Sequence, residues 1–296
     1  MVKRKKKLDS MNFVDIIILI ILGLVSAAML YPVINVLAIS LSDYSQAIRY
    51  PWMIFPRKVN FIGYNYVFND SHFWRSYLNS IIITAGTTLI GLSVTILTAW
   101  PLARKELKGK PIFMGFIIFT MVFSAGMIPN YLNIKGLNML DTFWAVILPS
   151  CFSAFNCIVM INFFRQLPYE LVESATIDGA SEPYILTRII IPLSKPVIAS
   201  ISLFLAVSAW NSYFNAQVYL REAELWPMAL TLKELLTQAT TALMEAADDP
   251  GVMDSLANPK TIQYASVIIA TVPIMCVYPF LQKYFAKGVM VGSVKG

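Results

Sequence analysis

The sequence predicts an all-α integral membrane protein with six transmembrane helices and both termini on the cytoplasmic side. Three observations carry this reading. The 296-residue chain is 57% hydrophobic and only 14% charged, against about a quarter charged in ordinary soluble domains. Its charged residues leave six long gaps, Ile16–Ser42, Ser76–Ala103, Pro111–Ile134, Thr142–Phe164, Pro196–Leu220 and Thr261–Gln282, each of 22 to 28 residues. A helix needs about 20 apolar residues to cross a bilayer core. Spans are therefore expected at about 14–40, 76–101, 111–133, 141–164, 196–220 and 262–283, within a single domain covering 1–296. Finally, with the N-terminus inside, 15 Lys and Arg fall on the cytoplasmic side and 8 outside, as the positive-inside rule expects. The net charge of +6 then needs no nucleic acid to explain it.

The first span follows Lys3–Lys7, a layout shared with signal peptides. Its apolar run exceeds the about 7–15 residues of a signal sequence, and Tyr31-Pro32-Val33-Ile34-Asn35 is a poor cleavage site, so the helix is expected to be retained. The first connection, Asp43–Arg75, is external and rich in Tyr, Trp and Phe, which favour the membrane interface. The only histidine, His72, falls there as a surface residue. Arg104–Lys110 is short, basic and cytoplasmic. Lys135–Asp141 is short and external, with Asp141 or Thr142 placed to cap the fourth helix. Cys151, Cys157 and Cys276 fall within spans without metal-type spacing and read as small buried apolar residues.

The cytoplasmic connection 165–195 carries its own helix signals. Pro168 suits a first turn, and Glu170 complements the helix dipole. Leu171, Val172 and Ala175 recur at helical spacing, and Gly179 supplies a left-handed stop. Ser181 is placed to cap a second helix opened by Glu182 and Pro183, which Pro192 and Pro196 end. The result is a helix–turn–helix hairpin. The external connection 221–260 holds an expected helix at Thr231–Leu243, then the acids Glu245, Asp248, Asp249 and Asp254 around a Pro250-Gly251 turn.

No catalytic constellation and no metal-ligand set is present in the sequence. The nearest approach to a phosphate-binding loop, Gly86 to Gly91, is followed by Leu92-Ser93 and lacks the lysine. The spans hold almost no ionisable side chains, whereas proton- and sodium-coupled carriers usually keep some. A self-sufficient secondary transporter or channel for a small solute, not driven by ATP, stays open as the alternative.

Glu173-Ser174-Ala175-Thr176-Ile177-Asp178-Gly179-Ala180, continuing to Ile189-Ile190-Ile191-Pro192, resembles the EAA loop of permease subunits in binding-protein-dependent ABC importers. The family pattern is E-A-A, three residues, G, nine residues, I, one residue, L-P. Glu173, Ala175, Gly179, Ile189 and Pro192 match it; Ser174 replaces an alanine and Ile191 the leucine. With Asn65-Tyr66, Asn79-Ser80 and the closing Val291–Gly296, the whole chain resembles the carbohydrate (MalG-type) permeases, and most the LplC/YtcP branch assigned to oligosaccharides or polysaccharide fragments. The resemblance implies a type I importer (MetI-like) architecture in the bacterial cytoplasmic membrane. It implies ATPase coupling through Glu173, Ser174, Ala175, Asp178, Gly179, Ala180, Ile189 and Pro192. It also implies a second homologous permease, an ATPase dimer that binds the ATP and Mg, and an extracytoplasmic sugar-binding protein touching 221–260; this chain itself is then a transport subunit, without enzymatic activity or a cofactor. The C-terminal tail would reach the ATPase dimer.

Sugars are held by aromatic faces, amides and hydroxyls. Trp210, Asn211 and Phe214, grouped on one helical face by spacing, with Asn130, Tyr131 and Asn156 (beside Phe155) are the expected substrate path. The same residues suit helix–helix hydrogen bonding and an interfacial aromatic belt equally well.

Overall fold

The computed structural model describes residues 12–43, 46, 49–246 and 261–276. Every regular element among them is a helix, apart from one isolated antiparallel bridge between Ser42 and Val59. Contacts divide the chain into two units, Met1–Asn69 with Leu236–Ile269, and Asp70–Leu235 with Ala270–Gly296.

In the first unit, α1 (Phe13–Ser40) turns the first apolar gap into one unbroken helix. Asn12 and Asp15 close a capping box at its start, the Asn12 N–H donating to Asp15 Oδ2 at 3.1 Å. Through most of its length α1 is exposed and apolar on every side, the pattern of a helix surrounded by lipid. Its far end is tied down: Asn35 Nδ2 donates to the carbonyls of Pro51 (3.0 Å) and Met53 (2.8 Å). Gly63 in α2 (Ile62–Asn69) lets that helix lie against the start of α13 (Thr261–Cys276), where a Cβ would stand 2.7 Å from the Thr261 carbonyl oxygen.

In the second unit, α3 (Ser71–Ala103) is the central pillar. Its buried residues Phe73, Ser76, Ser80, Ile83, Thr87, Gly91, Thr95, Ala99 and Leu102 recur at three and four, one continuous helical face. The helix starts earlier than expected because Asp70 caps it, accepting from the His72 N–H at 2.9 Å. His72 is thus a half-buried first-turn residue and not a surface-loop one.

The third, fourth and fifth gaps are not the straight helices their hydropathy suggests. The third forms α4 (Lys110–Val122) and α5 (Met127–Gly136), bent by 114°; Gly126 sits at φ +87 in the break. The fourth forms α6 (Phe143–Ser150) and α7 (Ala154–Gln166), bent by 47°. Pro149 weakens the end of α6, and Ser153 caps α7 afresh by accepting from the Asn156 N–H. After the hairpin of α8 (Tyr169–Ile177) and α9 (Glu182–Leu193), the fifth forms α10 (Lys195–Asn211) and α11 (Phe214–Tyr219), parted by extended backbone at Ser212. Among the described residues, α1 and α3 are long and apolar enough to cross a membrane alone, and the α4–α5, α6–α7 and α9–α10 pairs are so when each is taken together.

Thr142 occupies the N-cap of α6, but its hydroxyl donates to the Met139 carbonyl, and Asp141 accepts from the Arg221 N–H. Neither side chain caps the helix, because the loop claims both. α12 (Met228–Ala246) contains the expected 231–243 helix and is anchored to α3: Ser80 Oγ accepts from the Met228 N–H (2.7 Å), and Asn79 Nδ2 donates to Glu224 O (2.8 Å) and Trp226 O (3.1 Å). Cys151 and Cys157 are buried, while Cys276, at the end of α13, is exposed and not the buried residue expected. Lys3–Lys7, the acidic turn 248–254, the last gap beyond Cys276 and the tail Val291–Gly296 lie outside the described residues.

Candidate functional site

Two features of the second unit carry chemistry or mechanics: the α8–α9 hairpin, and a polar cavity among the broken helices. The hairpin turns where Gly179 adopts φ +80. Its N–H donates to Thr176 O (3.0 Å), and the Ala180 N–H reaches back to Ala175 O (2.9 Å), which together satisfy the orphan carbonyls of the last α8 turn. A Cβ at Gly179 would meet nothing within 4 Å. The glycine therefore serves the backbone conformation and not a steric gap.

Ser181 precedes α9 without a side-chain cap bond. The start of α9 is held instead by Glu182, whose carboxylate accepts from Trp100 Nε1 (3.1 Å) and Arg104 Nη2 (3.1 Å). Nor does Pro192 end the helix. The preceding Leu186–Ile190 stretch is π-helical, and that wider turn accommodates a proline that cannot donate. The chain then bends by 84° into α10 at the buried Ser194.

Within the hairpin, Glu173, Ser174, Asp178, Gly179 and Pro192 are exposed, Ala180 and Ile189 are half-buried, and Ala175 is buried. Val172, Ala175, Ile185, Leu186 and Ile190 belong to one apolar cluster with Trp100 of α3, Ile161 and Phe164 of α7, and Val197, Ile201 and Leu205 of α10. On the flank, the Tyr169 hydroxyl donates to Glu106 Oε1 at 2.5 Å. This bond holds the Glu106 carboxyl below the usual carboxylate range and raises the Tyr169 phenol above its own.

The cavity, of about 520 Å³, lies among α3, α6, α7, α10 and α11. Thr87, Ser150, Ser153, Asn156, Ser208, Ser212 and Asn215 line it, with the rings of Phe152, Phe155 and Phe204, and no charged side chain takes part. Both helix breaks, at Cys151–Ser153 and Ser212–Tyr213, open onto it. Irregular backbone at membrane depth persists where it lines a hydrated cavity, and discontinuous helices form substrate sites in other transporters. Asn215 Nδ2 donates to Ser150 Oγ at 3.2 Å. Thr87 Oγ1 is buried without a hydrogen-bond partner among the described residues.

Of the residues expected to form a substrate path, Asn156 lines this cavity. Trp210 does not: its Nε1 donates to Ala270 O (3.2 Å), and its ring packs edge-on against Tyr77. Asn211 bonds its own helix at Val207 O (2.8 Å), and Phe214 is exposed beyond the break. Trp210, Asn211 and Phe214 do not share one helical face, since α10 ends at Asn211 and α11 starts at Phe214. Tyr131 accepts from Arg221 Nη2 (3.0 Å) and stacks on Tyr219, and Asn130 is exposed on α5. Neither lines the cavity.

The binding-protein-dependent transport system inner membrane component family matches residues 91–291, from the middle of α3 through the hairpin and both broken pairs around the cavity. The chain belongs to this family. Protein LplC of Bacillus subtilis is 42% identical over 95% of both chains. The polygalacturonan/rhamnogalacturonan transport system permease protein YtcP of the same organism is 39% identical over 90% of this chain and 92% of its own. Among solved structures, a chain of a bacterial ABC transporter that imports the acidic polysaccharide alginate superposes with a TM-score of 0.82 at 33% identity, covering 91% of this chain and 95% of that one.

In this inner membrane component, the small polar residues that line the cavity form a pattern. Ser150, Ser153 and Asn156 are spaced by three, and Ser208, Ser212 and Asn215 by four and three. Small polar residues at helical spacing inside apolar gaps were the available signal.

Proposed function

We propose that this chain is a transmembrane permease subunit of an ATP-driven ABC importer for a saccharide, an oligosaccharide or polysaccharide fragment delivered by an extracytoplasmic binding protein. The observation that carries this reading is mechanical continuity. The apolar cluster that seats the inner face of the α8–α9 hairpin extends to Leu205, which also lines the polar cavity. A displacement of the hairpin is therefore transmitted to a cavity wall through close-packed side chains.

In this reading the chain crosses the bacterial plasma membrane six times with both termini cytoplasmic, in the MetI-like arrangement of type I importers. It pairs with a second homologous permease. Its hairpin surface, Glu173, Ser174, Asp178, Gly179 and Pro192, seats in an ATPase dimer, with Ala175, Ala180 and Ile189 fixing the hairpin from beneath. ATP and Mg are bound and consumed there, and this chain performs no catalysis. The segment 221–260 meets the binding protein, and the C-terminal tail reaches the ATPase.

The saccharide assignment is supported by the named activities of the relatives and by a cavity of hydroxyls, amides and rings. Neutral hydrogen-bonding groups and flat apolar faces match a sugar. Within the cavity, Asn156 is the member of the expected path that faces substrate; Trp210, Asn211, Phe214, Asn130 and Tyr131 lie outside its lining.

The test is Gly179→Asp in the assembled complex. Open space around the position and the tolerance of Asp for left-handed backbone let the chain fold. The complex is expected to assemble and hydrolyse ATP while uptake is lost. Full uptake in this variant would sink the proposal.

A further inference from the structure

A second cavity, of about 430 Å³, lies where the loop after α3, the start of α4 and the end of α7 meet. Four cations line it: Arg104, Lys105, Lys110 and Arg165. No acid lines it, and the two neighbouring carboxylates are already committed. Glu106 and Glu182 both pair with Arg104, at 3.3 and 3.1 Å, and Glu106 also accepts from Tyr169. Lys105, Lys110 and Arg165 form no ion pair among the described residues.

Arg104 and Lys110 are half-buried, Lys105 and Arg165 are more exposed, and each has a partner that holds it at the rim of the cavity. Lys110 Nζ donates to Arg104 O (2.9 Å), Arg165 Nη2 to Leu102 O (3.4 Å), and the Lys105 ammonium stands 5.2 Å from the Tyr169 ring centroid. Arg104 Nη1 is buried with no hydrogen-bond partner among the described residues, an arrangement that is costly unless an acceptor arrives. Burial, and then the charge of Arg165, hold the Lys110 ammonium below the usual lysine range, with Glu106 opposing. From Lys110 onward α4 exposes Ile112, Phe113 and Phe116. A cationic pocket at helix ends thus lies at the foot of a helix that exposes apolar side chains.

We propose that this cavity binds the phosphate of an anionic phospholipid, with the acyl chains lying along α4. Basic pockets between membrane helices on the cytoplasmic side suit such headgroups. The proposal rests on the orientation given above, with these helix ends inside.

The complex, purified in neutral detergent, is titrated with phosphatidylglycerol, phosphatidylcholine or inorganic phosphate, reading the unfolding midpoint and retained lipid by native mass spectrometry. Phosphatidylglycerol alone is expected to raise the midpoint and stay bound. Lys110→Gln and Arg165→Gln, which keep a donor for the backbone carbonyls, should each cut retention about fivefold without moving the lipid-free midpoint. If either fails to assemble, Lys105→Gln at an exposed position carries the same test. Equal retention in wild type and variants, or no response to phosphatidylglycerol, overturns the site. An equal response to inorganic phosphate assigns it to a soluble anion and overturns the lipid. Saccharide uptake by the wild-type complex is followed in parallel, so that absence of uptake with normal phosphatidylglycerol retention counts only against the importer reading.

Discussion

Arg104 and Glu182 meet at 3.1 Å although 78 residues separate them in sequence. The other Glu182 oxygen accepts from Trp100 Nε1, so the last turn and C-cap of α3 grip the first residue of α9. α3 also contributes Thr87 to the polar cavity. One carboxylate therefore ties the α8–α9 hairpin to the helix that runs past the proposed sugar site.

Replacing Glu182 by Ala is expected to lower the unfolding midpoint by an amount equivalent to about 1 kcal/mol, since the carboxylate is more than half exposed and its ion pair is screened. Uptake per ATP hydrolysed should fall further than stability does. Thermal unfolding at low and high salt, with coupled transport and ATPase assays, checks both. An unchanged ratio would show that the contact is only structural.

Gly91 and Gly179 make opposite demands. A Cβ at Gly91 would stand 2.6 Å from Cys151 O and 3.2 Å from Leu205 Cδ1, against backbone at the α6–α7 break. Gly91→Ala should cost about 1–3 kcal/mol and reshape the cavity. Gly179→Ala meets no neighbour and pays only for left-handed backbone, about 1–2 kcal/mol. Saccharide affinity should change in the first variant and stay level in the second.

Asn215→Leu removes an amide from the cavity wall and its bond to Ser150. Saccharide transport is expected to weaken about tenfold, the worth of a hydrogen bond to a buried polar ligand, with ATPase coupling intact. Trp210→Phe should leave substrate dependence alone and cost about 1 kcal/mol of stability through the lost bond to Ala270. Concentration-dependent uptake separates the two.

The Tyr169–Glu106 bond has a definite pH window. A lowered Glu106 contributes stability above its unfolded value, lost as pH falls through the lowered folded value. A raised Tyr169 contributes below the unfolded phenol value, lost as pH rises through the raised one. The difference in midpoint between wild type and Tyr169→Phe should therefore be flat near neutrality and vanish at both extremes. Thermal unfolding across pH at low salt measures it, and a difference that persists in strong acid would contradict the assignment.

Local signals carried far into the hairpin. Gly179 was legible because a helix stop needs a residue free to take positive φ, a property of one position and its neighbours. The grip of Arg104 on Glu182 was not legible, because nothing within a few residues of either names the other. Ser181 looked like the α9 cap for the same local reason, and the tertiary ion pair displaced that role.

What the sequence determined by itself was the set of long uncharged gaps, the helix–turn–helix between the fourth and fifth of them, and the family pattern on its surface. These depend on composition and short-range backbone preference. Only the tertiary structure decided that the third, fourth and fifth gaps break, at Phe123–Gly126, Cys151–Ser153 and Ser212–Tyr213. Hydropathy cannot see such breaks, since the residues in them are as apolar or as small as those around them. The direction of each polar side chain follows from where its helix stops and what packs behind it. That is why Ser150, Ser212 and Asn215 face the cavity while Trp210 turns away.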